Sequence, residues 1–415
     1  MKHNILVLMM IVAPLISWGQ FSLQTCQEKA KANYPLIKQY DLIDQSAEYT
    51  LSNASKGCLP QFSVTAIAAY IIKGLPSMGP ASEESEDKSQ FIGIGQINQT
   101  IWDGGATHAQ KEIIKADREV EKSNIDIAFH ELAERVNQLF FSILLLDEQL
   151  NQSALLTDNL NRNLKAVRLS NENGVAYSSD VDEVKVELLK VEQRTIEIVH
   201  SRQGYANMLA LMVGEPVNSN LQLEKPVMDD VPGEVTINRP ELSLYQHQRN
   251  LVDAQQAMNK VGYMPKVGLL GAGLIIQPGV PFGAEKMQSL AIAGLSLSWN
   301  TKSLYQSSNN NQLARIQLDR INNQQETFLF NTNLQLSQQT SDIQKQRSIL
   351  TKDNDIVALK TTIKKAYELK YQNGMCTMND LLQATNGEIE ARSNQALHEV
   401  QLLMTLNEYK TTSGN

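Results

Sequence analysis

The strongest constraint on this chain is that its sequence reads the same way twice, about 200 residues apart. Asn33-Tyr34-Pro35 recurs as Asn238-Arg239-Pro240. The spacing then holds: Tyr40 answers to Tyr245, Gly57 to Gly262, and Leu59-Pro60 to Met264-Pro265. Far downstream, Asn173-Gly174 and Asp180 recur as Asn373-Gly374 and Asp380. A unit this long lies outside the roughly 20–50-residue periods of solenoids. It implies one unit fused to its copy, with a first repeat over 20–238 and a second over 239–415. The two would build equivalent walls of one pseudo-symmetric body.

Residues 1–19 read as a secretory signal. Lys2 and His3 precede an apolar stretch from Ile5 to Ile16, and Ser17-Trp18-Gly19 offers small residues at the two positions a signal peptidase reads. The stretch is too short for a membrane span and Pro14 interrupts it. Beyond it, the longest apolar run, Leu139 to Leu146, is broken by Ser142. An exported chain of this kind enters a membrane only as strands. The formal net charge of -8 argues against nucleic acid as a partner. The acidic run Glu83, Glu84, Glu86, Asp87 reads as a solvated loop. Cys26, Cys58 and Cys376 are too scattered for a disulfide framework or a metal site. Leu23-Gln24-Thr25-Cys26 faintly resembles a lipoprotein attachment site, but Gln24 and Thr25 are poor residues before such a cysteine.

Each half reads as helix, strand, loop, strand, long helix, tight turn, long helix: mainly α with a small β part. Pro35 and Pro240 sit where proline is favoured, in the first turn of a helix. Those helices stop before Pro60 and Pro265, which cannot continue them. Strands are expected at about 62–72, 91–101, 267–276 and 290–299, each near the roughly 9–11 residues a tilted membrane strand needs. Alternation is plainest in Phe62, Val64, Ala66, Ala68 and Tyr70.

In the long helices apolar residues step by four and three, as in Leu132, Val136, Leu139, Ile143, Leu146 and Leu150, which is a coiled-coil seam. The return helix carries Val184, Leu188, Val191, Thr195 and Ile198, then Tyr205, Leu209 and Met212. Between Gln306 and Gln346 the second long helix is crowded with Asn and Gln, as in a thin wall with water beside it. Each outgoing helix has about 66–70 residues, roughly 100 Å at 1.5 Å per residue. The short and return helices together fall about 8–15 residues short of that, roughly 12–22 Å. Phe21 to Ala32, Gly214 to Asn238 and the C-terminal tail are left over and could form a belt at the gap.

These features resemble the TolC family of outer-membrane efflux proteins over nearly the whole mature chain. The resemblance is carried by the Asn-x-Pro helix starts, Leu59-Pro60-Gln61 at a strand entry, and Trp102-Asp103-Gly104-Gly105 between strand and long helix. The Gly174 and Gly374 turns and Leu211-Met212-Val213-Gly214 complete it. The second copy departs at Trp299-Asn300-Thr301-Lys302, which lacks the paired glycines. The resemblance implies a homotrimer in the outer membrane of a Gram-negative bacterium. Each chain would give four strands to a shared twelve-stranded β-barrel and its helices to a long periplasmic α-helical barrel. It further implies a passive efflux or secretion conduit, opened when a periplasmic adaptor (membrane fusion) protein and an inner-membrane pump dock. Physics agrees on the need for copies, because an open sheet edge is not tolerated in lipid and cyclic assembly closes it.

Catalytic residues, metal ligands and cofactors are not expected. The histidines are dispersed without ligand spacing, and His130-Glu131 lacks the second histidine of a zinc-protease helix. Gly268, Gly271 and Gly273 lie in a strand with no Lys-Ser/Thr after them, so they read as close strand packing. Function falls instead on the two turns, Asn173, Gly174, Val175, Ala176 and Asn373, Gly374, Met375, Cys376, which the resemblance makes the adaptor-docking periplasmic tip. Thr377 and Asp380 have the spacing of an N-cap and its reciprocal partner; for Asp180, Ser178 or Ser179 would be better caps than Tyr177. Asp180 and Asp380 are therefore either helix caps or a carboxylate ring at a pore mouth. Other classes are an elongated periplasmic adaptor or a coiled-coil structural protein without a pore. An adaptor has one hairpin where this chain has two, and a pore-free rod has no use for four membrane-length strands.

Overall fold

The computed structural model describes residues 21–70, 89–215, 222–227, 236–276 and 288–415. The expected signal at 1–19, residues 71–72 of the first expected strand and most of both inter-strand loops lie outside them. The elements are α1 (Leu23–Asn33), a 3-10 turn (Pro35–Ile37), α2 (Lys38–Lys56), β1 (Gln61–Tyr70), β2 (Ser89–Trp102), α3 (Ala106–Glu172) and α4 (Ser178–Val213). Then follow α5 (Pro240–Val261), β3 (Lys266–Ile276), β4 (Gln288–Ser298), α6 (Lys302–Gln372) and α7 (Met378–Ser413). The chain is mainly helical with one small sheet, and it divides into two compact units. One comprises Lys38–Ala128 and Arg239–Asn331, the other Met1–Ile37, Phe129–Asn238 and Thr332–Asn415.

The first of these units holds the sheet, ordered β1-β2-β3-β4 and antiparallel throughout. Phe62 lies opposite Ile97, Ile97 opposite Gly271, and Gly271 opposite Ala293, so these share one face. That face, with Val64, Phe91, Leu269, Leu295 and Leu297, is apolar apart from Gln99 near one end and Ser89 and Ser289 at the other. The register shifts at Thr100/Trp102, a bulge beside the exit into α3. Neither outer edge, β1 nor β4, has a strand partner among the described residues.

The strand-to-helix junctions are built differently. In the first, Gly104 and Gly105 adopt φ +71 and +91, and the Asp103 carboxylate accepts from Gly105 N–H at 2.9 Å and Thr107 N–H at 2.6 Å. Burial works against the Asp103 charge, but the bonds from Thr107, Gly105 and Ala106 outweigh it and hold the carboxyl below its usual range. The second junction has no left-handed residue. There the Asn300 side chain accepts from Lys302 N–H at 3.0 Å, and Trp299 Nε1 donates to the Tyr263 carbonyl at 3.0 Å. An amide cap and an indole anchor replace the paired glycines. Around the sheet, helices are tied by polar contacts: Tyr40 to Asp126, Ser123 to His247 at 2.7 Å, and Arg249 to Gln325 at 2.6 Å.

In the other unit the seam of α3 is buried at Leu132, Val136, Leu139 and Ile143. The return seam departs from expectation after Ile198. Ala206 and Val213 are buried, whereas Tyr205 is exposed and Met212 only half-buried. From Ile198 the seam takes two steps of four in succession, through position 202 to Ala206, a stutter in the heptad pattern that moves it on by one residue before Leu209 and Val213. Arg202 fills the intervening position and pairs with Asp147 of α3. On α6 one narrow line is buried, through Thr332, Leu336, Gln339 and Ile343, with Gln339 Nε2 donating to Thr412 Oγ1 at 2.9 Å. Ile321 and Asp353 are also buried, and most other residues of this Asn/Gln-rich helix are exposed or half-buried.

The leftover segments take definite form, and two further expectations, at Pro35 and at the C-terminal tail, are corrected. The leftover segment Phe21 to Ala32 is mostly helical: Leu23–Asn33 is helix α1, started by the Ser22 hydroxyl accepting from Thr25 N–H at 3.2 Å. Phe21 alone pairs with Leu223 in a parallel bridge. Pro35 opens a 3-10 turn between α1 and α2 rather than the first turn of an α-helix, while Pro240 does begin α5. The C-terminal tail continues α7 to Ser413, where Asn238 N–H bonds the Ser413 carbonyl at 2.7 Å.

Candidate functional site

Both helical turns belong to the unit built on the ends of α3, α4, α6 and α7. In the first, Val175 N–H reaches back to the Ser170 carbonyl at 2.8 Å and Gly174 N–H to Asn171 at 2.9 Å. The second repeats this bond for bond, Met375 to Lys370 at 2.8 Å and Gly374 to Tyr371 at 3.0 Å. This is the Schellman closure, which satisfies the last helical carbonyls and requires a left-handed residue after the helix. Gly174 and Gly374 supply it, each at φ +67. Asn173 and Asn373 add side-chain bonds to the Leu169 and Leu369 carbonyls at 2.8 and 2.7 Å.

The restarts differ. Thr377 Oγ1 accepts from Asp380 N–H at 3.2 Å while the Asp380 carboxylate accepts from Thr377 N–H at 2.9 Å and its hydroxyl at 2.6 Å. That is a full capping box. In the first turn the N-cap is Tyr177, not Ser178 or Ser179, and its side chain caps nothing; only Asp180 reaches back, to Tyr177 N–H at 3.0 Å. Bonds from the Thr377 side chain and backbone, set against slight desolvation, hold the Asp380 carboxyl below its usual range. Both aspartates are thus engaged in helix capping within the chain.

One apolar cluster anchors both turns. Val181, Val184 and Leu188 of α4, Leu160 and Val167 of α3, and Met378, Leu381 and Leu382 of α7 are buried together. Ala176, Tyr367 and Tyr371 pack against them. Both turns therefore adjoin one apolar cluster, Ala176 directly and the second turn through Met378 just beyond it. Val175 and Met375 stand out at 81% and 76% exposed, whereas Cys376 is half-buried with its Sγ 3.6 Å from the Tyr367 carbonyl. Sequence reasoning missed Tyr177, 79% exposed beside Val175. The signal was available, since an N-cap position filled by an aromatic residue is a poor cap. It also missed Glu388 on α7, a buried carboxylate held by Lys364 at 3.1 Å, Arg392 at 2.9 Å and Thr361 at 2.9 Å. Burial opposes its charge, but those bonds win and keep it below the usual carboxylate range.

The turns are thus closed by their own backbone hydrogen bonds and present Val175, Tyr177 and Met375 outward. Among the described residues no group of three or more His, Cys, Asp or Glu could hold a metal ion. No helix among them is long and apolar enough to cross a membrane.

Residues 27–215 match the family model described as outer membrane efflux protein. No curated protein matches the sequence. Among solved structures the chain is similar to the outer-membrane channel OprN, with TM-score 0.70 and 14% identity, covering 94% of this chain and 89% of that one. It is also similar to the outer membrane protein VceC of Vibrio cholerae (TM-score 0.67, 14% identity, 95% and 96% covered). The open-state MtrE outer membrane channel of Neisseria gonorrhoeae gives TM-score 0.68 and 14% identity, with 95% and 89% covered. Identities this low establish a shared fold, and the mainly helical chain with its small sheet has that fold.

Proposed function

Because this chain belongs to the TolC family of outer membrane efflux proteins, we propose that it is the outer-membrane channel of a tripartite efflux or secretion system. Three copies form a homotrimer whose twelve strands close a barrel in the outer membrane of a Gram-negative bacterium, with the helices forming the periplasmic conduit. The observation that carries this reading is the sheet. Four antiparallel strands of 10 to 14 residues present one apolar face and two unpaired edges. Unpaired backbone groups are costly in hydrocarbon, so such a sheet is stable there only when copies join edge to edge.

The helices support the same reading. Val186, Leu189, Ile196 and Val199 on α4, and Ile356, Leu359 and Ile363 on α6, are exposed at near-heptad spacing. They form second stripes beside the seams already buried within the chain. Helices with two apolar stripes suit a closed ring, in which each packs on a neighbour to either side. The exposed Val175, Tyr177 and Met375 at the turns fit an adaptor-docking tip made of Asn173 to Ala176 and Asn373 to Cys376. The chain acts as a passive conduit that a periplasmic adaptor and an inner-membrane pump open, without chemistry of its own.

Native mass determination in detergent together with planar-bilayer recording tests this. A trimer with discrete conductance steps is expected; a monomer that conducts nothing overturns it.

A further inference from the structure

A cavity opens between α3, α6 and α7, remote in sequence from both turns and within the unit that holds them. Its volume is about 290 Å³, at the small end of ligand pockets, which run roughly 300–1,000 Å³. Phe141 and Met404 give it an apolar patch, and the rest of its lining is polar. Part of that polar lining is already satisfied. Asn137 accepts from Gln27 Nε2 at 2.6 Å and donates to Thr411 Oγ1 at 3.1 Å, and Thr411 in turn donates to the Asn407 carbonyl at 2.9 Å. Gln339 is different. It is 8% exposed and donates to Thr412 Oγ1 at 2.9 Å, but its Oε1 has no hydrogen-bond partner. A buried carbonyl left in that state costs free energy until a donor reaches it.

Charge points the same way. Glu134 of α3 and Glu408 of α7 line the cavity, and among the described residues no lysine, arginine or histidine does. Glu134 lies 3.6 Å from His130 Nε2, which is charged only when protonated. Glu408 is exposed at the rim and has no ion-pair partner among the described residues. Desolvation, with the Asp342 carboxylate second, pushes its carboxyl above the usual range. An unmet acceptor and uncompensated negative charge together favour a ligand that is both cation and donor. A hard metal ion such as calcium takes roughly six to eight oxygens at about 2.3–2.6 Å, a far tighter cage than this cavity. An aliphatic ammonium compound fills the space and gives its methylenes an apolar surface.

We propose that this cavity binds a small aliphatic diamine, its ammonium groups held by Glu134, Glu408 and Gln339 and its methylenes lying against Phe141 and Met404. Every lining residue belongs to one chain, so the site exists whether or not copies assemble into a channel.

Isothermal titration calorimetry of the full-length protein in detergent, with putrescine at neutral pH, tests this. Binding with Kd of about 0.1–1 mM is expected for so small a ligand. Butanediol keeps the carbon chain and two donors but carries no charge, and it should bind at least about tenfold more weakly. Glu408→Gln should weaken putrescine by about three- to tenfold, as for a partly solvated ion pair. Gln339→Met keeps the length of the side chain and removes the unmet carbonyl, and it should weaken putrescine as well. Glu408 is exposed, so its variant decides the matter even if Gln339→Met fails to fold. Unchanged putrescine affinity in Glu408→Gln overturns the assignment, as does equal binding of butanediol or the absence of any binding heat. Calcium chloride that binds more tightly and displaces putrescine overturns the diamine in favour of a metal ion. Conductance is unaffected by any of these outcomes, so the channel reading stands or falls separately.

Discussion

The two left-handed turns permit a clean separation of backbone strain from steric clash. A Cβ added to Gly174 or Gly374 would meet nothing within 4 Å, so the whole cost of Gly→Ala there comes from holding φ at +67. For an L-residue that is about 1–2 kcal/mol. Asparagine tolerates the same conformation and should cost a few tenths; valine, branched at Cβ, should cost more than alanine. The observable is local opening of the turn, read from hydrogen exchange at Met375 N–H, which bonds the Lys370 carbonyl, and at Val175 N–H, which bonds that of Ser170. An equilibrium shift of 1–2 kcal/mol is about 5- to 30-fold. Gly374→Ala should therefore accelerate exchange at Met375 by about 5- to 30-fold, Gly374→Asn by no more than about twofold, and neither should alter exchange in β1 to β4. Gly204, helical within α4 and with nothing within 4 Å of its added Cβ, is the control of opposite sign. Gly204→Ala should stabilise by about 0.5–1 kcal/mol. Equal effects of alanine and asparagine at Gly374, or a neutral alanine, would refute the reasoning, because open space leaves no other source for the difference.

The caps and ion pairs give further expectations. Asp180→Asn with Asp380→Asn should leave both helix starts in place, since an asparagine Oδ1 can accept from the Tyr177 or Thr377 N–H as the carboxylate does. Reversal potentials in a salt gradient then decide whether these carboxylates also line a pore mouth, in which case cation selectivity falls. Because the Asp380 carboxyl is held below its usual range, selectivity arising from it should persist into mildly acid solution. Glu388 has a lowered folded pKa, so its contribution is present above the unfolded carboxylate range and fades as pH falls through the folded value. With Lys364 and Arg392 partly solvated, Glu388→Gln should cost about 1–2 kcal/mol near neutrality and flatten the loss of thermal stability below about pH 5. Gly104→Ala should be worse than Gly374→Ala, since its Cβ would lie 2.7 Å from that of Met264 as well as at φ +71; differential scanning calorimetry ranks them. Thiol titration of unreduced protein should find three free thiols. Cys26, buried and pushed up to about 11 by desolvation, should react last, whereas a disulfide would contradict the layout.

What could be read in advance was whatever a single residue type dictates. Gly174 and Gly374 mark reversals because only a residue tolerant of positive φ closes a Schellman turn, and Pro240 marks a helix start because its missing N–H costs nothing there. The seam was legible where leucine and valine fall at strict four-three steps, through Ile198. It failed at Tyr205 and Met212 because a hydrophobic residue one position off the shifted seam looks, in sequence, like one on it. Helix α1 was left unassigned for a related reason, being short and polar, with only Cys26 and Ala30 buried. The Glu388 cluster depends on a lysine 24 residues before it, a separation that no periodicity connects.

The two halves of the chain use different side chains at matching places in the sequence. At the strand-to-helix junction the first uses Asp103 with two left-handed glycines, the second Asn300 with the Trp299 indole. At the turns the second restarts on a full Thr377–Asp380 box, the first on half of one, with Tyr177 turned outward instead. At the turns the change preserves the path of the chain, with Gly174 and Gly374 both at φ +67; at the junctions it does not, since only the first has left-handed residues. What changes is the surface: valine and tyrosine at one turn, methionine at the other. In the proposed trimer the tip would therefore present two kinds of turn, three of each in alternation, on a scaffold whose backbone is close to sixfold. A partner that docks there meets threefold chemistry on a nearly sixfold frame. Contacts made to backbone and small turn residues can then recur at all six positions, while contacts made to Tyr177 or Met375 can recur at only three.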